Sequence, residues 1–154
     1  MSQTTNAHCA IIGRIFIAIH TKTAPSEAEW SPMCASIANT SKLAANAGGL
    51  VFTDGGAPSP AQRKQLNEAM GGNDIPIAVM SHALIPRFVN ASISLFIKSI
   101  RSYSPEEFPQ AIEYLQITQE ERKVLTPILL EVQQQMGAER LKTLTRALAA
   151  AKWR

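Results

Sequence analysis

The sequence predicts an α/β fold: a mostly parallel, four-stranded sheet with helices over residues 1–116, followed by a helical C-terminal extension over 117–154. Three observations lead there. Short runs of continuous apolar, β-branched residues recur along the chain, too apolar throughout to be half-solvated, as in sheets covered on both faces. The stretches between them space apolar residues by three and four, the period of a helix with one buried stripe. The two kinds alternate, which favours parallel strands joined by right-handed helical crossovers.

CAIIGRIFIAIH, residues 9–20, reads as one long interior strand. A helix follows, started by Ser26 with Glu29 three residues on and carrying Trp30, Met33, Cys34 and Ile37 on one face. Such Ser/Thr-x-x-Glu/Gln pairs satisfy two orphaned backbone donors at once. Gly48-Gly49 is expected to close this helix, and GGLVFT (48–53) to form the second strand. Ser59 with Gln62 opens the next helix, Pro60 takes its first position, and Gly71-Gly72 ends it. IPIAVMS (75–81) is the third strand, Ser81 caps a third helix over HALIPRFVNASISLFIKS, and SIRSYS (99–104) is a weaker fourth strand. Ser104 with Glu107 and Thr118 with Glu121 mark two further helix starts.

From Gln116 on, the chain reads as helical to its end, with Pro127 and Gly137 as candidate breaks. Leu125, Leu129, Val132 and Met136, then Leu141, Leu144 and Leu148, form a stripe that suits either a helical hairpin packed on the domain or a short self-associating seam. Two heptads are too few for a coiled coil.

Composition bounds the function. A hydrophobic fraction of 45% with 18% charged residues is globular and excludes disorder. The net charge of +3 is unevenly held: residues 140–154 carry Arg140, Lys142, Arg146, Lys152 and Arg154 and no acid, so the tail contributes +5 and the remainder −2. A nucleic-acid or anionic membrane surface is therefore expected only through this tail. No apolar stretch approaches the ~18 residues of a membrane helix and no signal peptide opens the chain, so a cytosolic (cytoplasmic) protein is expected. Cys9 and Cys34 have no metal-ligand or CxxC spacing and read as small hydrophobes.

The stretch richest in chemical possibilities is TDGGAPSPAQRKQL, residues 53–66. An apolar strand, two glycines and a capped helix start place backbone amides and a positive dipole end together, and such ends bind anions. The phosphate-cradling signatures GxxxxGK[ST] and GxGxxG are absent. Asp54 lies at the carboxyl end of a strand, where open α/β sheets bind ligands. His20 and His82 also fall at strand carboxyl ends, but there is no GxSxG elbow, and no ligand pair suggests a metal. The third helix combines Phe88 and Phe96 with a broad apolar face, suiting a core position or a partner surface.

The strand–loop–helix VFTDGGAPSPAQRKQL, followed by IPIAVMS and the helix from His82, resembles the STAS-type fold of bacterial anti-sigma-factor antagonists, and most of all small bacterial STAS-like proteins with a TDGG-type turn. The resemblance covers residues 9 to about 116 and excludes the tail. It implies a non-catalytic signalling domain that works by docking to a protein partner. In the antagonists a phosphorylatable Ser or Thr directly follows the Asp; here Gly55 and Gly56 follow Asp54, so the docking face carries over and the switch does not. The family also usually opens with a two-strand hairpin, where this chain reads as a single strand.

The expected function is a cytosolic regulatory module without cofactor, metal or catalytic residues. It would dock a protein partner through Asp54, Gly55, Gly56, Ser59, Gln62 and Arg63, and self-associate as a homo-oligomer. One alternative is a small anionic ligand binder, or weak hydrolase, using the Asp54–Ser59 loop with His20 or His82. Another is an adaptor held to an anionic surface by the basic tail.

Overall fold

The computed structural model describes residues 5–82 and 99–151. They form a five-stranded sheet in the order β1-β2-β3-β4-β5, each strand beside its sequence neighbour. The strands are β1 (Ala7–Ile12), β2 (Ile15–His20), β3 (Gly48–Thr53), β4 (Ile77–Ser81) and β5 (Ile100–Tyr103). β1 and β2 pair antiparallel, and the remaining pairs are parallel. Five α-helices accompany them: α1 (Glu27–Leu43), α2 (Pro60–Met70), α3 (Phe108–Tyr114), α4 (Gln119–Met136) and α5 (Lys142–Ala151). The helix expected after Ser81 lies outside the described residues.

The expected single strand over 9–20 is instead a hairpin, which makes the strand count five and not four. Gly13 takes φ +56 and Arg14 does not, so the two-residue connection has glycine first, the φ pattern of a tight hairpin turn that matches strand twist. The apolar run conceals the turn because its only interruption is Gly13-Arg14. Arg14 fixes the turn from outside. Its guanidinium donates to both carboxylate oxygens of Glu121 at 3.0 and 3.1 Å, and to the carbonyls of Asn46, Leu115 and Gln116.

A second correction concerns Gly48-Gly49, which begin β3 and do not close α1; the helix ends at Ala44 in an extended conformation. The phenyl ring of Phe16 lies where a side chain at Gly49 would be, so glycine here permits strand packing. Gly71 does end α2, in the left-handed conformation. Capping boxes form at Ser26, Ser59 and Thr118, each hydroxyl accepting from the third residue's N–H while that residue's side chain accepts in return.

Strand alternation divides the core into two layers. On one face Phe16, Ile77 and Val79 pack with Trp30, Cys34, Ile37, Leu66 and Met70 of α1 and α2. On the other, Ile15, Ile17, Ile19, Leu50, Phe52, Ala78 and Met80 meet Phe108, Ile112, Leu125, Leu129, Leu141 and Leu144. Phe52 and Phe108 meet edge to face, 5.5 Å between centroids. The C-terminal stripe is therefore packed on the sheet. α4 runs through Pro127 and ends at Gly137, which takes φ +96. Among the described residues no helix is long and apolar enough to cross a membrane.

Candidate functional site

The carboxyl ends of β2, β3 and β4 are adjacent in the sheet, His20 opposite Thr53 and Thr53 opposite Ser81. The polar residues just beyond these strands therefore share one edge. Thr53 ties its own loop: its hydroxyl donates to Gly56 O (2.8 Å) and accepts from Gly55 N (3.1 Å). Gly56 N donates to Thr21 O at 2.9 Å, and a side chain at Gly56 would overlap the carbonyl oxygens of Thr21 and Thr23. Gly55, at φ +123, also needs glycine's freedom.

Asp54 reaches across the chain. Its two carboxylate oxygens accept from Lys142 N (2.6 Å) and Thr143 N (2.8 Å), the first two amides of α5. The carboxylate thus does the work of an N-cap and neutralises the positive end of that helix. The buried Thr143 hydroxyl donates to Thr53 O (2.9 Å) and accepts from His82 N (3.3 Å), while His82 Nδ1 lies 2.6 Å away. With its one proton on the Thr53 carbonyl, Thr143 Oγ1 is left to accept from the ring, so the Nδ1 facing it carries a hydrogen. Asp54 Oδ1 is 3.6 Å from Nδ1, close enough for attraction and too far for a good hydrogen bond.

Beside this cluster lies a cleft of about 320 Å³ lined by Thr21, Lys22, Thr23, Asp54, His82, Glu139, Arg140 and Lys142. One wall is the carboxyl edge of the sheet; the other is the turn that enters α5. Arg140 is anchored, donating to Thr5 O (2.7 Å), Asn6 Oδ1 (3.2 Å) and Met136 O (3.3 Å). Lys22 and Lys142 are exposed, and among the described residues no acid pairs with either ammonium.

The other residues singled out in the sequence are placed as follows. Ser59 Oγ accepts from Gln62 N at 3.1 Å, and Gln62 Oε1 accepts from Ser59 N at 2.8 Å. Gln62 is buried: its side-chain amide nitrogen donates to Pro25 O and Glu27 Oε1, and its main-chain carbonyl accepts from Trp30 Nε1. Arg63 donates back to Pro58 O at 2.9 Å. These contacts lock α2 to its loop and to α1.

His20 ends the same strand edge but, alternating with Ile19, turns to the α1 face and away from the cleft. It is buried, its Nδ1 has no hydrogen-bond partner among the described residues, and desolvation pulls its pKa down to about 4 against an opposing pull from Glu29. Burial raises the Cys9 thiol to about 11, and Cys34 is raised likewise, so neither is a ready nucleophile. Among the described residues no three His, Cys, Asp or Glu converge as metal ligands. In the basic tail, Arg146 pairs with Glu106 and Arg140 is anchored, while Lys152 and Arg154 lie outside the described residues.

Sequence reasoning missed the second wall, Glu139, Arg140 and Lys142, and the buried Thr143 that ties α5 to Thr53 and His82. Its one local signal was Gly137, which breaks α4 and frees the chain to turn back toward Asp54. No protein-family model, curated protein or solved structure matches the chain.

Proposed function

We propose that the protein is a non-catalytic binding module whose ligand is a small anion held in the cleft beside Asp54. The observation that carries this is the pair of exposed ammoniums, Lys22 and Lys142, that project from two walls of one cleft with no acid pairing either among the described residues, while Asp54 and Arg140 beside them are tied into the fold. Clefts at strand carboxyl ends are where open α/β sheets take ligands. The helix dipole is not the source of anion affinity here, because Asp54 already occupies that end of α5. A binding role fits better than a hydrolytic one: Thr143, the hydroxyl held against His82, is fully buried, and Ser59 is engaged as a cap.

Isothermal calorimetry with inorganic phosphate and with citrate tests this. Lys22→Ala and Lys142→Ala should each weaken binding about tenfold or more, the worth of a hydrogen bond to a charged group. Affinity should also fall with added salt. Absence of heat with both anions would sink the reading.

Protein docking, which the resemblance to the antagonists supports, has a narrower surface than the motif suggests. Ser59, Ala61, Lys64 and Glu68 form the exposed strip of α2 and its cap, with Lys64 and Glu68 paired at 3.9 Å. A pull-down with wild-type and Lys64→Glu protein tests this strip, and capture indifferent to the substitution would count against it.

A further inference from the structure

Building on the anion-cleft reading, we infer that the ligand is a small phosphate ester bearing free hydroxyls and neither a base nor an acyl chain, and that by bridging the two walls it clamps α5 onto the sheet.

The chemistry of the lining selects this class. Three cations, Lys22, Arg140 and Lys142, face two carboxylates, Asp54 and Glu139, so the cleft favours an anion that also offers donors. A phosphoryl group presents three oxygens and can meet both ammoniums at once. Glu139 is an acceptor, and so is Nε2 of His82 in the neutral imidazole, whose Nδ1 hydrogen is directed at Thr143. Both call for hydroxyl groups on the ligand. Among the described residues no Phe, Tyr, Trp or aliphatic side chain lines the cleft, so no broad apolar surface is offered for a base or an acyl chain.

The clamp follows from where the lining comes from. Lys22, Asp54 and His82 follow strands of the sheet, whereas Glu139, Arg140 and Lys142 belong to the turn into α5 and its first residue. The helix is already tied to the edge by the Asp54 and Thr143 hydrogen bonds. A ligand bound to both walls is lost when α5 lifts away, so its binding free energy adds to helix docking. Ligand and helix are then linked reciprocally.

The test uses the full chain, with D-ribose 5-phosphate, inorganic phosphate, D-ribose and adenosine 5′-monophosphate titrated by calorimetry. Amide exchange across 141–151 is followed by mass spectrometry in parallel. Ribose 5-phosphate should bind about tenfold more tightly than phosphate through its added hydroxyl hydrogen bonds. At a hundred times its Kd it should slow exchange in α5 about hundredfold. At the same ligand concentration Lys22→Met, on the wall away from the helix, should cut that protection about tenfold or more while leaving exchange without ligand unchanged. Equal affinities for ribose 5-phosphate and phosphate would overturn the ligand class, as would tighter binding of the nucleotide. Binding that leaves α5 exchange unaltered would overturn the clamp. In those cases the anion cleft itself stands; if no anion binds the wild-type chain, both fall.

Discussion

The TDGG loop and the turn that faces it across the cleft are built from similar polar residues and use them in opposite ways. In the loop, Thr53 ties Gly55 and Gly56, Asp54 takes two amides of α5, and Ser59 and Gln62 complete a capping box. Across from it, Lys142 projects an ammonium that no acid pairs among the described residues, and so does Lys22 from the β2 end. The difference teaches that the most conspicuous motif in the chain answers a structural demand. Side chains free to bind stand in segments with no motif at all. Substitutions on the two sides should separate accordingly, with stability lost on one and affinity on the other.

The largest expected effect lies at the same strand edge, on the face turned from the cleft. His20 has a folded pKa of about 4 against an ordinary 6.5, because burial disfavours its charged form. The unfolded chain therefore binds the proton first. This contribution to stability is intact above pH 6.5 and is lost as pH falls from there toward 4, by about 3 kcal/mol. Chemical denaturation across that range measures it. His20→Leu should flatten the slope between pH 6.5 and 4, leaving the loss at lower pH to carboxylates such as Glu29 and Glu121, whose pKa values are depressed by hydrogen bonds that outweigh their desolvation. An equal slope in the variant would show that His20 does not titrate on unfolding.

Gly56→Ala comes next. The added methyl meets backbone oxygens of Thr21 and Thr23, which cannot swing aside as a side chain can. A cost of about 2–3 kcal/mol is expected. A near-neutral variant would mean the loop does not press against the β2 end, and the cleft would lose one wall. Asp54→Ala removes the acceptor for two helix amides and should cost about 2 kcal/mol, as strong caps do. Exchange in the first turn of α5 should accelerate more than exchange in β3; uniform acceleration would argue against the cap.

Most of the fold was legible in the sequence because strands and caps are local. GGLVFT, Ser59 with Gln62, and Thr118 with Glu121 each declare themselves within a few residues. The β1–β2 turn was not legible, since both of its strands are apolar and only Gly13-Arg14 divides them. The cleft was half legible. Asp54 and His82 could be placed at strand ends by parallel topology, and they do lie 3.6 Å apart. His20 could not be assigned to a face until the hairpin set its register. Lys142 and Thr143 approach Asp54 across 88 and 89 residues, a separation at which local pattern carries no information.

The smallest expected effect is the one that most sharpens the comparison. Lys22→Ala and Lys142→Ala remove exposed ammoniums with no ion-pair partner among the described residues, so stability should stay within about 0.5 kcal/mol of wild type by denaturation. Lys142 keeps its backbone amide on Asp54 whatever its side chain, so the cap survives the substitution. A loss of more than about 1 kcal/mol from either change would put that lysine on the structural side with Asp54 and Gly56. Unchanged stability together with weakened anion binding would locate binding in the side chains that the fold leaves free.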